Sequence, residues 1–207
     1  GIYTIVITIM TLVKMFSPLG TELGTVYFGA QHRKDEARAK LKGLIVSSMG
    51  LSIASSIMCM GMLWIAAPAI TEHVSELRVI ATALLFWTPL HTIAGLLRAQ
   101  KDMKGNALVY QITMPVVLVF GAITVVLFEW TLTTALITYV ISTAVPLIYG
   151  IKRAWRHFGD LFTDPGLPAI TDLNALLGYS IPMAFSQFVF RLNAWMDLLM
   201  LEWLTQN

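Results

Sequence analysis

Four long stretches without a charged residue constrain the fold of this chain more than any other feature. They are 43–71, 79–97, 105–128 and 130–151. A helix needs roughly 20 mainly apolar residues to cross the hydrocarbon core of a bilayer, and each stretch has about that length. None of them alternates apolar and polar residues as a strand of a membrane barrel would. The sequence therefore predicts membrane-spanning α-helices.

Two further apolar stretches, 2–28 and 173–204, are also long enough to span, although both contain ionisable residues. Charged residues make up 13 % of the chain and hydrophobic residues 57 %, whereas soluble domains carry about 25 % charged residues. This composition excludes a soluble globular enzyme and a disordered segment, and the single cysteine, Cys59, excludes an internal disulfide. The prediction is an all-α integral membrane protein, a polytopic bundle of six transmembrane helices.

The charges in the connections predict the orientation of these helices. Alternate connections carry eleven cations, namely Arg33, Lys34, Arg38, Lys40, Lys42, Arg98, Lys101, Lys104, Lys152, Arg153 and Arg156. The opposite connections carry only Arg78. Because short basic connections stay in the cytoplasm, we expect the chain to begin and end on the outer side. The basic connections are expected to contact anionic lipid headgroups, and no nucleic-acid partner is expected.

The spacing of the spans predicts the domain organisation. The chain begins without Met, directly in an apolar span, so we expect it to be part of a longer transporter. Residues 1–151 are interpreted as five helices of a first lobe that lacks its first helix. Residues 152–172 contain Pro165, Gly166 and Pro168 and are interpreted as a cytoplasmic inter-lobe linker. Residues 173–207 would be the first helix of a second lobe whose remainder is missing.

Every predicted span carries one proline: Pro18, Pro68, Pro89, Pro115, Pro146 and Pro182. Proline removes a backbone hydrogen bond and kinks a helix, although membrane helices tolerate it well. One proline in each of six spans favours bent helices around a cavity, as in transporters that alternate their opening.

Four charged side chains lie inside predicted spans: Lys14, Glu22, Arg191 and Asp197. Each costs roughly 2.5–3.5 kcal/mol at a helix centre, so each should face protein or water rather than lipid. Lys14 and Glu22 are about 12 Å apart along one helix, which allows one cavity wall but not a simple ion pair. Gln187 and Arg191 are four residues apart on a polar stripe, and Asn193 and Asp197 form a second stripe.

These positions suggest two roles. Lys14, Arg191, Gln187 and Asn193 are candidates for a hydrated cavity that holds a phosphate-bearing substrate. Glu22 and Asp197 are candidates for a proton or sodium site that couples transport to an ion gradient. The alternative is that these charges pair with other helices or extend to the membrane interface.

Other chemistry has less support in the sequence. His91 is interpreted as a helix-to-helix hydrogen-bonding residue rather than a proton relay. The sequence has no Gly-rich phosphate loop, no metal-ligand spacing and no Ser/His/Asp arrangement. We therefore expect no enzyme activity, no cofactor and no metal site.

Several motifs resemble one family of transporters. Gly20-Thr-Glu-Leu-Gly24 followed by Gly29-Ala-Gln-His-Arg-Lys-Asp-Glu-Ala-Arg-Ala-Lys40 resembles the second helix and first cytoplasmic connection of polysaccharide-type lipid flippases. These flippases belong to the multidrug/oligosaccharidyl-lipid/polysaccharide exporter superfamily. Gly95-Leu-Leu-Arg-Ala-Gln-Lys-Asp-Met103 is similar to the connection between their fourth and fifth helices. Tyr179-Ser-Ile-Pro-Met183 and Asn193-Ala-Trp-Met-Asp197 with Leu199-Met-Leu201 are similar to their seventh helix.

The resemblance implies that the chain supplies helices two to seven of a two-lobed exporter. The implied activity is transfer of a polyprenyl-phosphate-linked oligosaccharide from the inner to the outer leaflet of the plasma membrane, without an ATP site in the flippase. Lys14 and Arg191 belong to none of these motifs, so their substrate role rests on the physical argument above.

Two alternatives remain open at this stage. A cation-coupled multidrug exporter of the same superfamily predicts that acidic residues dominate the cavity. A membrane-embedded glycan polymerase or ligase predicts a large outer connection with catalytic side chains, and the outer connections here are short.

Overall fold

The computed structural model describes the backbone of residues 2–34, 37–128 and 131–206, and the side chains of 6–34, 37–128 and 131–190. The described chain is helical, with α1 Ile2–Phe16, α2 Thr21–Lys34, α3 Arg38–Ile70, α4 Val74–Ala81, α5 Leu84–Ala99, α6 Met103–Asn106, a π-helical segment Ala107–Thr113, α7 Met114–Leu127, α8 Leu132–Thr163 and α9 Leu173–Gln206.

Within the described residues, six helical segments are long and apolar enough to cross a membrane. Their bounds are Val6–Lys34, Arg38–Ile70, Val74–Ala99, Met103–Leu127, Leu132–Thr163 and Leu173–Phe190. These bounds confirm the predicted all-α membrane fold with six spans. The chain is a multi-pass membrane protein.

The first span consists of two helices, because the backbone turns between α1 and α2. Pro18 supplies no backbone N–H, and the next two residues, Leu19 and Gly20, both have positive φ, 47° and 69°. A Cβ on Gly20 would also collide with the backbone carbonyl of Ser180 on α9. Glycine therefore permits both the turn and the close approach of α9.

The prolines of the other spans have unequal effects. Pro115 is the second residue of α7, which directly follows the π-helical segment. There the Thr113 hydroxyl donates to the Leu108 carbonyl five residues earlier at 2.6 Å. Pro89 and Pro146 lie inside uninterrupted helices. The π-helical segment before Pro115 has wider turns than an α-helix, and such turns relieve the hydrogen-bonding defect that proline creates.

The predicted inter-lobe linker is partly helical, because α8 continues to Thr163. The non-helical connector is Asp164–Asp172, and it lies against the first turn of α3. The Ile170 amide donates to the Ala39 carbonyl at 3.1 Å, and the Lys42 ammonium donates to the Leu167 carbonyl at 2.9 Å. These bonds fix the position from which α9 begins. The division into two lobes remains a prediction.

Helix α5 is the centre of the described bundle and contacts α2, α3 and α8. Most of its residues are buried, including Leu90, Leu96 and Leu97. Helix α7 is the opposite case, because its side chains, such as Phe120 and Val126, are largely exposed. An apolar surface of this kind is suited to contact with lipid, whereas α5 forms the interior of the described bundle.

Asp102 joins the third and fourth spans to α8 at the end of the bundle that carries the predicted cytoplasmic connections. Its carboxylate accepts from Arg153 Nε at 2.7 Å and Nη2 at 3.1 Å, from His157 Nε2 at 2.9 Å and from the Gly105 amide at 2.9 Å. The hydrogen bond from Arg153 is the main reason that the pKa of Asp102 lies well below its usual range. These hydrogen bonds therefore stabilise the fold when the Asp102 carboxylate is ionised.

We expect Asp102→Asn to lower the thermal unfolding midpoint at pH 7 by about 3 °C. A carboxyl whose pKa is lowered in the folded state contributes its stability above the unfolded pKa of about 4 and loses it as the pH falls further. The difference in unfolding midpoint between Asp102→Asn and the unmodified protein should therefore be largest near pH 7 and become smaller in acid. Asp160→Asn, on an exposed position of α8, is the matched control, and an equal effect of both variants would contradict the assignment.

Candidate functional site

A cavity of about 480 Å³ lies between α1, α2, α5, α8, α9 and the π-helical segment. Its lining consists of Thr11, Lys14, Met15, Pro18, Gly20, Glu22, Leu23, Trp87, His91, Arg98, Tyr110, Tyr139, Ala184, Gln187 and Phe188. Aromatic rings and ionisable groups thus share one space inside a bundle with an apolar exterior. Pockets of this size and mixed character are typical ligand sites.

Lys14 is the most deeply buried cation of this lining, with 9 % of the residue exposed. It lies in the last turn of α1 and donates a hydrogen bond to the Tyr139 hydroxyl on α8. Its ammonium lies 3.8 Å from the centroid of the Trp87 ring on α5 and 4.4 Å from that of Tyr139. Within the described side chains it has no carboxylate partner. No side chain that the structure describes therefore neutralises its positive charge.

Glu22 has two partners on α5. Its Oε2 lies 2.7 Å from His91 Nδ1, and its Oε1 accepts from Arg98 Nη2. Gly95 lies between these partners on the same face of α5, and a Cβ there would be 2.6 Å from the Glu22 carbonyl oxygen. The absence of a side chain at Gly95 lets α2 approach closely enough for one carboxylate to contact both partners.

This contact corrects one expectation. Arg98 was predicted to be a loop cation of the cytoplasmic face, but it lies in the last turn of α5 and its guanidinium pairs with Glu22 beside the cavity. The long arginine side chain allows a residue at a helix end to reach a carboxylate inside the bundle. His91 makes the helix-to-helix contact that was predicted for it.

The structure brings three of the predicted site residues together. Lys14, Glu22 and Gln187 line the same cavity, and Lys14 and Glu22 bind different partners, as their spacing predicts. Arg191, Asn193 and Asp197 lie outside the described side chains.

Sequence reasoning missed the aromatic residues of the cavity, among them Trp87 and Tyr139. Both lie in the interior of a span, whereas aromatic residues of membrane proteins concentrate at the two interfaces. An aromatic side chain far from both ends of a span was the signal that could have identified them.

The two cations of the described lining, Lys14 and Arg98, differ in their electrostatics. Arg98 and Glu22 form a neutral pair, while the described partners of the Lys14 ammonium are the aromatic side chains of Trp87 and Tyr139. The described lining therefore offers one uncompensated positive charge, which attracts an oxyanion in a medium of low dielectric constant. No cluster of three His, Cys, Asp or Glu side chains suited to a metal occurs among the residues that the structure describes.

Comparison with known proteins gives one match. A family model described as polysaccharide biosynthesis protein matches residues 1–207. The curated proteins and the solved structures gave no match to the chain.

Proposed function

The chain belongs to the polysaccharide biosynthesis protein family, whose members are generally transporters rather than enzymes, and on this premise we propose that it flips a lipid-linked oligosaccharide. It has a membrane transporter role in polysaccharide synthesis. The proposed cargo is a polyprenyl-phosphate-linked glycan, and the proposed direction is from the inner to the outer leaflet of the plasma membrane.

The observation that carries this proposal is the cavity beside Lys14. A sugar-phosphate headgroup is too polar to cross hydrocarbon unaided, because each unsatisfied polar group costs several kcal/mol there. A cavity with the Lys14 ammonium, which no described carboxylate neutralises, and the amide of Gln187 offers that headgroup partners inside the bundle. The lipid tail can remain in the bilayer while the two lobes rock. Arg191 and Asn193, on the same helix as Gln187, are proposed to extend this wall.

A cation-coupled drug exporter has weaker support, because acidic residues do not dominate the described lining. Glu22 is its single carboxylate, and that carboxylate is already paired with Arg98. Glu22 and Asp197 remain proposed coupling residues for a proton or sodium gradient. The flippase therefore fits the charges of the cavity better than the drug exporter does.

The test is reconstitution of the protein into liposomes that contain a fluorescent polyprenyl-diphosphate-linked oligosaccharide. We expect transfer between leaflets, measured by quenching from outside, to be faster than in protein-free liposomes. A second set of liposomes tests export of a cationic dye. Transport of the dye without transfer of the lipid-linked glycan would reject the flippase in favour of the drug exporter.

A further inference from the structure

Lys14 is held by two aromatic side chains that come from two different helices. The Trp87 ring on α5 and the Tyr139 ring on α8 both lie within cation–π distance of its ammonium, and the Tyr139 hydroxyl accepts a hydrogen bond from it. A lysine side chain has four rotatable bonds and loses up to about 2 kcal/mol of rotamer entropy when it is fixed. These three contacts restrict the ammonium to one position on the cavity wall.

Aromatic contacts differ from an ion pair in one respect that matters for binding. A carboxylate cancels the charge of its partner, as Glu22 does for Arg98. The face of an aromatic ring attracts a cation through its quadrupole and carries no net charge. The described partners of Lys14 therefore fix its position and leave its positive charge available.

We propose that Trp87 and Tyr139 are positioning residues that hold the Lys14 ammonium for an oxyanion of the cargo. The inference rests on the proposed function and extends it, since it assigns the recognition of negative charge to one aromatic-bound lysine. The oxyanion is either the phosphate of the lipid carrier or the carboxylate of an acidic sugar. Both present oxygen acceptors that an ammonium binds with charge-assisted hydrogen bonds.

The test is the equilibrium Kd of the detergent-solubilised protein for a fluorescent polyprenyl-diphosphate-linked oligosaccharide, measured by fluorescence anisotropy. We expect Trp87→Leu to raise the Kd about tenfold, because a desolvated cation–π contact is lost. Tyr139→Phe keeps the ring and removes the hydroxyl, so it should raise the Kd about threefold. Trp87→Tyr keeps an aromatic face and should restore most of the affinity that Trp87→Leu loses.

A double-mutant cycle separates positioning from a merely structural role. In a Lys14→Met background, Trp87→Leu and Tyr139→Phe should leave the Kd unchanged, because the group that they position is absent. Trp64→Leu and Tyr149→Phe are matched controls on exposed positions of α3 and α8. Thermal unfolding of every variant shows whether the protein is folded.

The outcomes distinguish this inference from the flippase assignment. The positioning role would be overturned if Trp87→Leu and Tyr139→Phe raised the Kd as much in the Lys14→Met background as in the unmodified protein. It would also be overturned if Trp87→Leu left the Kd of the otherwise unmodified protein unchanged. Failure of the protein to bind the probe at all would overturn it as well, whereas binding without transfer between leaflets would reject only the flippase. Probes with a neutral and with an acidic glycan identify the anion. If the variants weaken binding of both probes, the anion is the carrier phosphate. If they weaken binding of the acidic probe alone, the anion is the sugar carboxylate.

Discussion

Replacing Lys14 with methionine is expected to slow transfer of a lipid-linked oligosaccharide about 100-fold, which corresponds to about 2.7 kcal/mol. The charge of Lys14 is not neutralised by any described neighbour, so its removal deletes a charge-assisted contact that a low-dielectric cavity strengthens. Methionine is unbranched and apolar, and it fills a similar space. The readout is the initial rate of transfer in proteoliposomes.

The same substitution should raise stability. Burial of a cation that has no counter-ion among the described side chains costs free energy, so Lys14→Met is expected to increase the thermal unfolding midpoint while it lowers transport. Lys14→Arg keeps the charge and should retain more activity than Lys14→Met. Lys104→Met, which removes an exposed cation outside the cavity, is the matched control. Equal transport by Lys14→Met and Lys104→Met would show that the cargo does not use this charge.

The number of spans and their helical type followed from the sequence because length and composition alone determine whether a segment can span a bilayer. The bounds were less accurate where a helix extends beyond the membrane. Residues 152–163 were interpreted as part of a linker because they carry charges, yet they continue α8. A helix needs no apolar run once it leaves the bilayer, so hydropathy does not report its end.

The candidate site was predictable one helix at a time. The cost of a charge in hydrocarbon identified Lys14 and Glu22, and helical spacing showed that they do not pair with each other. Their actual partners, Tyr139 and Arg98, come from other helices, and periodicity within a single helix contains no information about them. The positive-inside rule treats Arg98 as a loop cation because it considers only distance from the end of a span, and not the reach of the side chain.

Glu22→Gln is expected to lower the free energy of unfolding by about 2 kcal/mol, because it leaves the Arg98 guanidinium without its counter-ion. Removal of one partner from a fully buried pair typically costs more, but the Glu22 and Arg98 side chains are 27 % and 28 % exposed, and solvent screens them in part. Thermal and denaturant unfolding in detergent measure the change. Glu72→Gln, which alters an exposed glutamate in the connection between α3 and α4, should have little effect.

The double variant Glu22→Gln/Arg98→Gln distinguishes a structural ion pair from a coupling carboxylate. If Glu22 serves mainly to neutralise Arg98, removal of both charges should recover most of the stability, and a transmembrane proton or sodium gradient should drive transfer as before. If Glu22 couples transport to an ion, the double variant should regain stability and still lose its response to the gradient. The net charge of positions 22 and 98 is zero both in the unmodified protein and in the double variant, so Lys14 keeps the same electrostatic surroundings. Any loss of gradient response is therefore attributable to the Glu22 carboxylate itself.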